Sequence, residues 1–167
     1  VSFERGAIEK ALGKLGCFIP HHVQLFFWRI YSDCVTRKSM TCGQADVMRV
    51  YRRDMLGSVG HTTLMNYEER LKLVFGDELL PLALDMLTEA AVTGVLTPEA
   101  LEAFRQLPDY HGLSSTDTQM QILDVLQHDG YLTQGKKGFR FTSKYLRDWW
   151  KKRNGLFFTP VMKRRLK

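Results

Sequence analysis

The fold of this chain is decided by one stretch near its C-terminal end, Tyr131-Leu-Thr-Gln-Gly-Lys-Lys-Gly-Phe-Arg-Phe-Thr142. Two short segments with alternating apolar residues flank Gly135-Lys-Lys-Gly138, which predicts a β-hairpin with a tight turn. The sequence on either side has helical periodicity instead. It predicts one helix over about 117–129, capped by Ser115 or Thr116 and stopped by Gly130, and another over about 144–154.

The segment upstream of the hairpin completes a familiar order of elements. Helical spacing predicts a helix over 77–92, and Val95-Leu96 can form a short strand. Thr97 and Pro98 then have the form of a cap and first turn, which predicts a helix to about 107. The order helix, strand, helix, helix, hairpin, helix is the winged-helix plan, a helix-turn-helix with a β-hairpin wing.

The N-terminal part predicts a small helical bundle with short connections. Its helices are expected over about 4–15, 20–37, 43–56 and 62–75. The helix over 20–37 is apolar nearly all round, which is typical of a central helix. Thr41 and Gln44 have the spacing of a capping box for the third helix. We therefore expect a mainly α fold, with a helical module at 1–76, a winged helix at 77–155 and a basic tail at 156–167.

Composition places the chain in the cytoplasm. It has 167 residues, of which 44% are hydrophobic and 25% charged, and no apolar run of transmembrane length. The three cysteines form no Cys-x-x-Cys pair, and no secretory signal is recognisable, so free thiols in a reducing compartment are expected. The start at Val1, with helical periodicity beginning almost at once, leads us to expect a fragment of a longer protein.

The basic charge is concentrated in the hairpin and beyond. Residues 1–93 carry equal numbers of acidic and basic side chains, and residues 94–130 carry one Arg and six acids. Residues 131–167 carry 12 Lys or Arg and a single acid, which is a net charge of +11. Such an asymmetry indicates an anionic partner for the C-terminal end.

No catalytic or cofactor site is expected in this chain. A phosphate-binding loop is missing, since Gly13-Lys14 lacks both the preceding glycine and the following hydroxyl residue. Cys17, His21 and His22 are too few for a zinc site, and the histidines are interpreted as a surface pair at a helix start. No nucleophile, base and orienting group form a recognisable constellation.

The helix at 117–129 would be the recognition helix of the winged helix, yet its charge opposes DNA. Its expected exposed stripe, Asp117, Gln121, Asp124 and His128, has two carboxylates and no Lys or Arg. The hairpin and last helix instead carry cations, which predicts contact with phosphates through the wing. A solvated basic face and docking onto an acidic protein surface are the alternatives. The candidate residues are Lys136, Lys137, Arg140, Lys144, Arg147 and Lys151, with Lys152, Arg153, Lys163, Arg164, Arg165 and Lys167 nearby. The aromatic pair Trp149 and Trp150 is interpreted as packing between wing and helix.

Three groups of residues resemble a prokaryotic AAA+-type ATPase family. They are Leu126-Gln-His-Asp-Gly-Tyr-Leu132 with Lys144-Tyr-Leu-Arg-Asp-Trp-Trp150, Ile19-Pro-His-His-Val-Gln-Leu-Phe26, and Asn66-Tyr-Glu-Glu-Arg-Leu71. The resemblance implies a helical lid followed by a C-terminal winged helix. It also implies that the nucleotide-binding core, with its ATP and Mg²⁺, lies upstream of this chain and is one of its partners.

The resulting expectation is a non-catalytic, regulatory and partner-binding C-terminal region of an ATPase. Its winged helix would contact the DNA backbone or a protein partner, and no membrane is involved. The alternative is a free-standing winged-helix transcription regulator. That alternative predicts a basic recognition helix and a natural Met start, and the sequence has neither.

The absence of a phosphate loop leads to a direct test. We expect this chain alone not to hydrolyse ATP, because nothing in it can hold the β- and γ-phosphates and their metal ion. Phosphate release by the purified chain should stay at the background of the buffer, and measurable turnover in a contaminant-free sample would contradict the expectation.

Overall fold

The structure, a computed structural model, describes residues 1–164, without the side chains of Ser58, Val59 and Thr63. It is mainly helical and contains two small two-stranded sheets. The described chain forms two compact units. The first unit consists of Val1–Met65 with Ser143–Tyr145, and the second of residues 66–142 with 146–164.

The first unit begins with two helices close to those expected. Helix α1 (Ala7–Leu15) buries Ala7, Ala11 and Leu15 on one face, and Gly16 ends it in a left-handed conformation with φ 77°. Helix α2 (Pro20–Thr36) begins with proline in its first turn, where the missing N–H costs no hydrogen bond. The periodicity and the Gly and Pro signals therefore located both helices.

Two short strands were not expected from the sequence. Strand β1 (Ser2–Phe3) pairs in parallel with strand β2 (Thr41–Cys42). The capping-box prediction for Thr41 is therefore wrong, because Thr41 belongs to β2. Helix α3 (Gln44–Val50) begins after Gly43, whose N–H donates to the Asp46 carboxylate at 2.9 Å. The side chain at the third helical position does accept from the N–H of the capping residue, but that side chain is Asp46 and not Gln44.

The third helix is shorter than expected because its end widens. Residues Tyr51–Met55 form a π-helical turn, which leaves the Met55 carbonyl free to accept the Tyr145 hydroxyl at 3.0 Å. Helix α4 (Ser58–Thr93) then begins four residues earlier than expected. Gly60 does not break this helix. It allows a close approach, since a Cβ there would lie within 1.5 Å of the Met55 oxygen.

A buried carboxylate organises the polar side of the first unit. Asp33 is 5% exposed and accepts from Arg37 at 2.8 Å and Arg49 at 2.7 Å, while Arg53 lies 3.1 Å away. Burial alone would raise the pKa of Asp33, but the hydrogen bonds from Arg49 and Arg37 outweigh it and lower the pKa to about 2. Asp33 is therefore ionised across the neutral range, and the arginines compensate its charge.

Two expectations about α2 need correction. The helix is not enclosed on all sides, because Trp28, Tyr31 and Val35 on one face are all more than half exposed. His22 is buried and packs edge-on against Tyr145 at 5.2 Å, whereas His21 is exposed. The two histidines are therefore not a surface pair, since the helix turns His22 inward. Burial, and to a smaller extent His21, lowers the pKa of His22.

The second unit contains the helices around the hairpin. Gly76 interrupts α4 with φ 59° and ψ −171°, so the helix consists of two segments, 58–75 and 77–93. The expected strand at 95–96 is reduced to a single bridge at Leu96. The remaining elements are α5 (Pro98–Gln106), α6 (Thr116–His128), β3 (Leu132–Gly135), β4 (Gly138–Phe141) and α7 (Lys144–Asn154).

Side-chain caps and one buried amide hold α5 and α6. Thr97 accepts from the Ala100 N–H at 3.2 Å and Ser115 from the Thr118 N–H at 3.1 Å, which confirms both caps. Gln119 is buried in α6 and donates to the Leu101 carbonyl at 2.8 Å. Its side-chain oxygen accepts from Arg105 at 3.1 Å, so its polar atoms are satisfied across the two helices.

The compact units do not follow the division expected from the sequence. The first unit ends at Met65, and the expected helical module ends at Gly76. Gly76 does end a helical segment, but residues 66–75 contact the second unit's own elements, such as Tyr131, whose hydroxyl donates to the Tyr67 carbonyl at 2.6 Å. The domain boundaries 1–76 and 77–155 stay predictions.

The aromatic pair on α7 is part of the core, as expected. Trp150 is fully buried, its indole N–H donates to the Thr88 hydroxyl at 3.1 Å, and its ring lies 6.4 Å from that of Phe141 on the hairpin. Trp149 is 3% exposed. These contacts confirm that Trp150 packs between the hairpin and α4, and the Trp149 ring packs against Trp150 at 6.1 Å.

Replacing Trp150 by Ala should remove this packing and leave the Thr88 hydroxyl without its donor. We expect a loss of about 3–5 kcal/mol in the free energy of unfolding, measured by chemical denaturation. Trp28→Ala is the matched control, because that side chain is more than half exposed, and it should change stability little. Equal stability of the two variants would contradict the packing of α7.

Candidate nucleic-acid interface

The hairpin presents two lysines at its tip. Strands β3 and β4 pair antiparallel from Leu132 opposite Phe141 to Gly135 opposite Gly138. Lys136 and Lys137 are the two residues of the turn, and both are exposed. Neither side chain has an ion-pair partner within the described residues 1–164. Their charges are therefore available to an anion.

Arg140 adds a third cation to the same hairpin. It lies on β4 opposite Thr133 and is exposed. Its guanidinium is close to the turn, since a Cβ on Gly135 would lie 3.6 Å from the Arg140 Nε. Lys136, Lys137 and Arg140 are thus brought together by one short element, and their mutual repulsion is relieved only by solvent or an anionic ligand.

A backbone bridge attaches the hairpin to the chain before α5. The Leu96 N–H donates to the Phe139 carbonyl at 2.7 Å, and the Phe139 N–H donates to the Leu96 carbonyl at 2.9 Å. Gly138 makes this approach possible. It has φ +129°, and a Cβ there would lie 2.2 Å from the Leu96 oxygen. Only glycine fits at this position without displacing the backbone.

The cations of α7 differ from one another in exposure and in ion pairing. Lys144 is exposed but belongs to the first compact unit. Arg147 is half-buried and pairs with the adjacent Asp148 at 2.7 Å, so much of its charge is compensated. Lys151 is exposed on the same helix, and Arg153 pairs with Glu68 at 2.8 Å. Of the six candidate residues, the three on the hairpin form the well-defined group.

One cation of the basic tail is bound by other residues of the protein, which was not expected. Arg164 pairs with Asp85 at 2.6 Å and donates to the Thr159 carbonyl at 2.9 Å. Lys163 is exposed. The predicted cations Arg165 and Lys167 lie outside the described residues. Arg164 is therefore not a free cation of this surface.

The exposed face of α6 has the predicted composition. Asp117, Gln121, Asp124 and His128 are all exposed, and Ile122 and Leu126 are buried. The face therefore presents two carboxylates to solvent. A helix of this charge would repel phosphates on approaching a groove of DNA.

Two motifs quoted for the family resemblance contact each other in the second unit. The Arg70 guanidinium forms a bidentate ion pair with the Asp129 carboxylate, with N···O distances of 2.6 and 2.8 Å. This pair lowers the pKa of Asp129. The Tyr67 ring packs edge-on against Tyr131 at 5.4 Å. The two motifs lie about sixty residues apart in the sequence, so no local pattern predicts that they pair. Together they hold the segment that enters the hairpin.

Among residues 1–164 no three His, Cys, Asp or Glu side chains are arranged to hold a metal ion. Within the same range, no helix has both the length and the apolar character needed to cross a membrane. Cys17, Cys34 and Cys42 are free thiols. These findings leave the expected absence of cofactors a prediction.

The chain matches no protein-family model, no curated protein and no solved structure. The resemblance to AAA+-type ATPases therefore stays an expectation that rests on the motifs quoted above. The hairpin geometry is independent of that resemblance, since it follows from the residues themselves.

The attachment of the hairpin can be tested at Gly138. Gly138→Ala should destabilise the protein and abolish the protection of the Phe139 amide against hydrogen exchange, because the new Cβ would strike the Leu96 carbonyl. Gly135→Ala is the matched control, since its nearest neighbour would be 3.5 Å away. Retained protection of the Phe139 amide in Gly138→Ala would show that the bridge does not anchor the hairpin.

Proposed function

We propose that the chain is a non-catalytic binding module whose second unit is a winged helix that contacts nucleic-acid phosphates through its hairpin. The order of elements supports the winged helix: the second segment of α4, the bridge at Leu96, α5, α6, the hairpin and α7. The isolated bridge between Leu96 and Phe139 joins the hairpin to the chain before α5, as expected of a wing.

One observation carries the proposal: three exposed cations without described partners lie on a hairpin that is fixed to the protein body. Phosphate contacts release condensed counterions, so clustered Lys and Arg side chains supply most of the affinity for nucleic acid. The hairpin also presents its lysines in an exposed two-residue turn. Contacts of this kind carry no base information, and binding should be independent of sequence.

The proposal about the longer protein rests only on the motifs that resemble the AAA+-type ATPase family. We infer a cytoplasmic AAA+-type ATPase in which ATP and Mg²⁺ bind an upstream core and this region serves as lid and winged helix. Docking of the hairpin onto an acidic protein surface is the second candidate, because the same three cations would serve it. A free-standing transcription regulator is disfavoured by the acidic face of α6.

The experiment removes the hairpin cations together. Replacing Lys136, Lys137 and Arg140 by Ala should weaken binding to unrelated duplexes equally. If each residue contacts one phosphate, the slope of log affinity against log salt should become shallower by up to about 3. Fluorescence titrations with two duplexes at several salt concentrations measure both effects.

Two controls separate this mechanism from general charge and from groove reading. Replacing the exposed cations Arg5, Lys10 and Lys72 by Ala changes the net charge equally and should have a much smaller effect. Gln121→Ala should have little effect, and Asp124→Ala should leave affinity unchanged or raise it by removing a repelling charge. Loss of binding in Gln121→Ala, with the triple hairpin variant unaffected, would show that α6 reads the groove. Failure of the unaltered chain to bind any duplex would favour the acidic protein partner.

A further inference from the structure

The chain that follows α7 packs on the second unit as a short segment, 156–164, which we name the strap, and its residues Val161–Lys163 form a single 3₁₀ turn. Val161 of the strap is buried, and its N–H donates to the Glu89 carboxylate at 2.8 Å. Glu89 is itself only 2% exposed on α4. A buried carboxylate needs a donor, and within the described residues the strap backbone supplies a direct one.

The end of the strap is held by a cation. The Arg164 guanidinium pairs with Asp85 on α4 at 2.6 Å. It also lies over two aromatic rings, with its central carbon 4.8 Å from the centre of Phe158 and 5.7 Å from that of Phe104 on α5. The α4 and α5 surface therefore presents one carboxylate for a backbone N–H, a second carboxylate for a cation, and an aromatic ring beside it.

The strap does not fill the surface on which it lies. An open groove of about 610 Å³ lies between α5 and the strap, lined by Pro98, Glu102 and Met162 among others. A second groove of about 570 Å³ lies beside Asp85, Phe157 and Lys163. Leu156 and Phe157 are 77% and 93% exposed, so the start of the strap is barely packed. A core segment would be enclosed on more sides.

We propose that the surface of α4 and α5 under the strap is a docking site for basic peptides of the form Val-x-x-Arg folded into a 3₁₀ turn, and that the strap occupies it in cis. The spacing follows the observed contacts, because the Glu89 carboxylate accepts from the Val161 N–H and Asp85 pairs with the Arg164 guanidinium three residues later. Burial raises the pKa of Glu89, and the hydrogen bond from the Val161 N–H partly opposes that shift. A partner segment of the same form would displace the strap and release its basic end.

The test uses the full chain with a protease site inserted between the exposed residues Leu156 and Phe157. Cleavage converts the strap into a peptide that can exchange. A fluorescent peptide with the sequence of residues 157–164 should bind the cut chain and bind the uncut chain at least about tenfold more weakly, because the tethered strap competes at high effective concentration. The Arg164→Ala version of the peptide should bind the cut chain about tenfold more weakly, the factor expected for one lost charge-assisted hydrogen bond.

Three outcomes would overturn the proposal. They are failure of the peptide to bind the cut chain, equal binding to cut and uncut chains, and loss of cooperative thermal unfolding when the strap is displaced. Hydrogen exchange on the unaltered chain gives an independent measurement. The Val161 amide should exchange at least about tenfold faster than the amide of Leu123 in the core of α6, because strap opening precedes global unfolding. Equal protection of the two amides would show that the strap is an inseparable part of the core.

Discussion

Two backbone hydrogen bonds between Leu96 and Phe139 attach the hairpin to the chain before α5. The position of the exposed lysines depends on that attachment. The bridge exists because Gly138 lets the two backbones approach closely. On the other side of the hairpin, Phe141 reaches the buried ring of Trp150. Upstream of the hairpin, the ion pair of Arg70 with Asp129 holds the end of α6. The two lysines at the tip are therefore displayed by a fixed element, which reduces the entropy lost when an anion binds.

The hairpin and the exposed side of α6 carry opposite charges. The hairpin holds cations that no described carboxylate neutralises, and α6 exposes Asp117 and Asp124. Coulomb interactions with phosphate therefore favour one face and oppose the other, and salt weakens both. The C-terminal cation Arg164 is compensated by Asp85 and contributes to neither face. The overall basic charge of the sequence is thus a poor guide to the surface, and the position of each cation matters more.

Local signals allowed the sequence to predict the hairpin, the caps at Thr97 and Ser115, and the exposed face of α6. The change of period from helix to strand and the glycines of the turn depend only on neighbouring residues. Pairing of β1 with β2 escaped prediction because each strand has two residues and the partners lie about forty positions apart. The buried positions of His22 and Gln119 were missed for a related reason. A polar residue in a helical pattern is expected outside, and only tertiary partners such as Tyr145 and Leu101 explain its burial.

The claim that the hairpin contacts nucleic acid is tested most directly by mapping where a duplex binds. Isotope-labelled chain would be titrated with a short mixed-sequence duplex at low salt while backbone amide resonances are followed. We expect the largest changes in resonance at residues 135–140 and little change at the amides of α6. Changes concentrated on α6, or a bound duplex that leaves the hairpin amides unmoved, would contradict it.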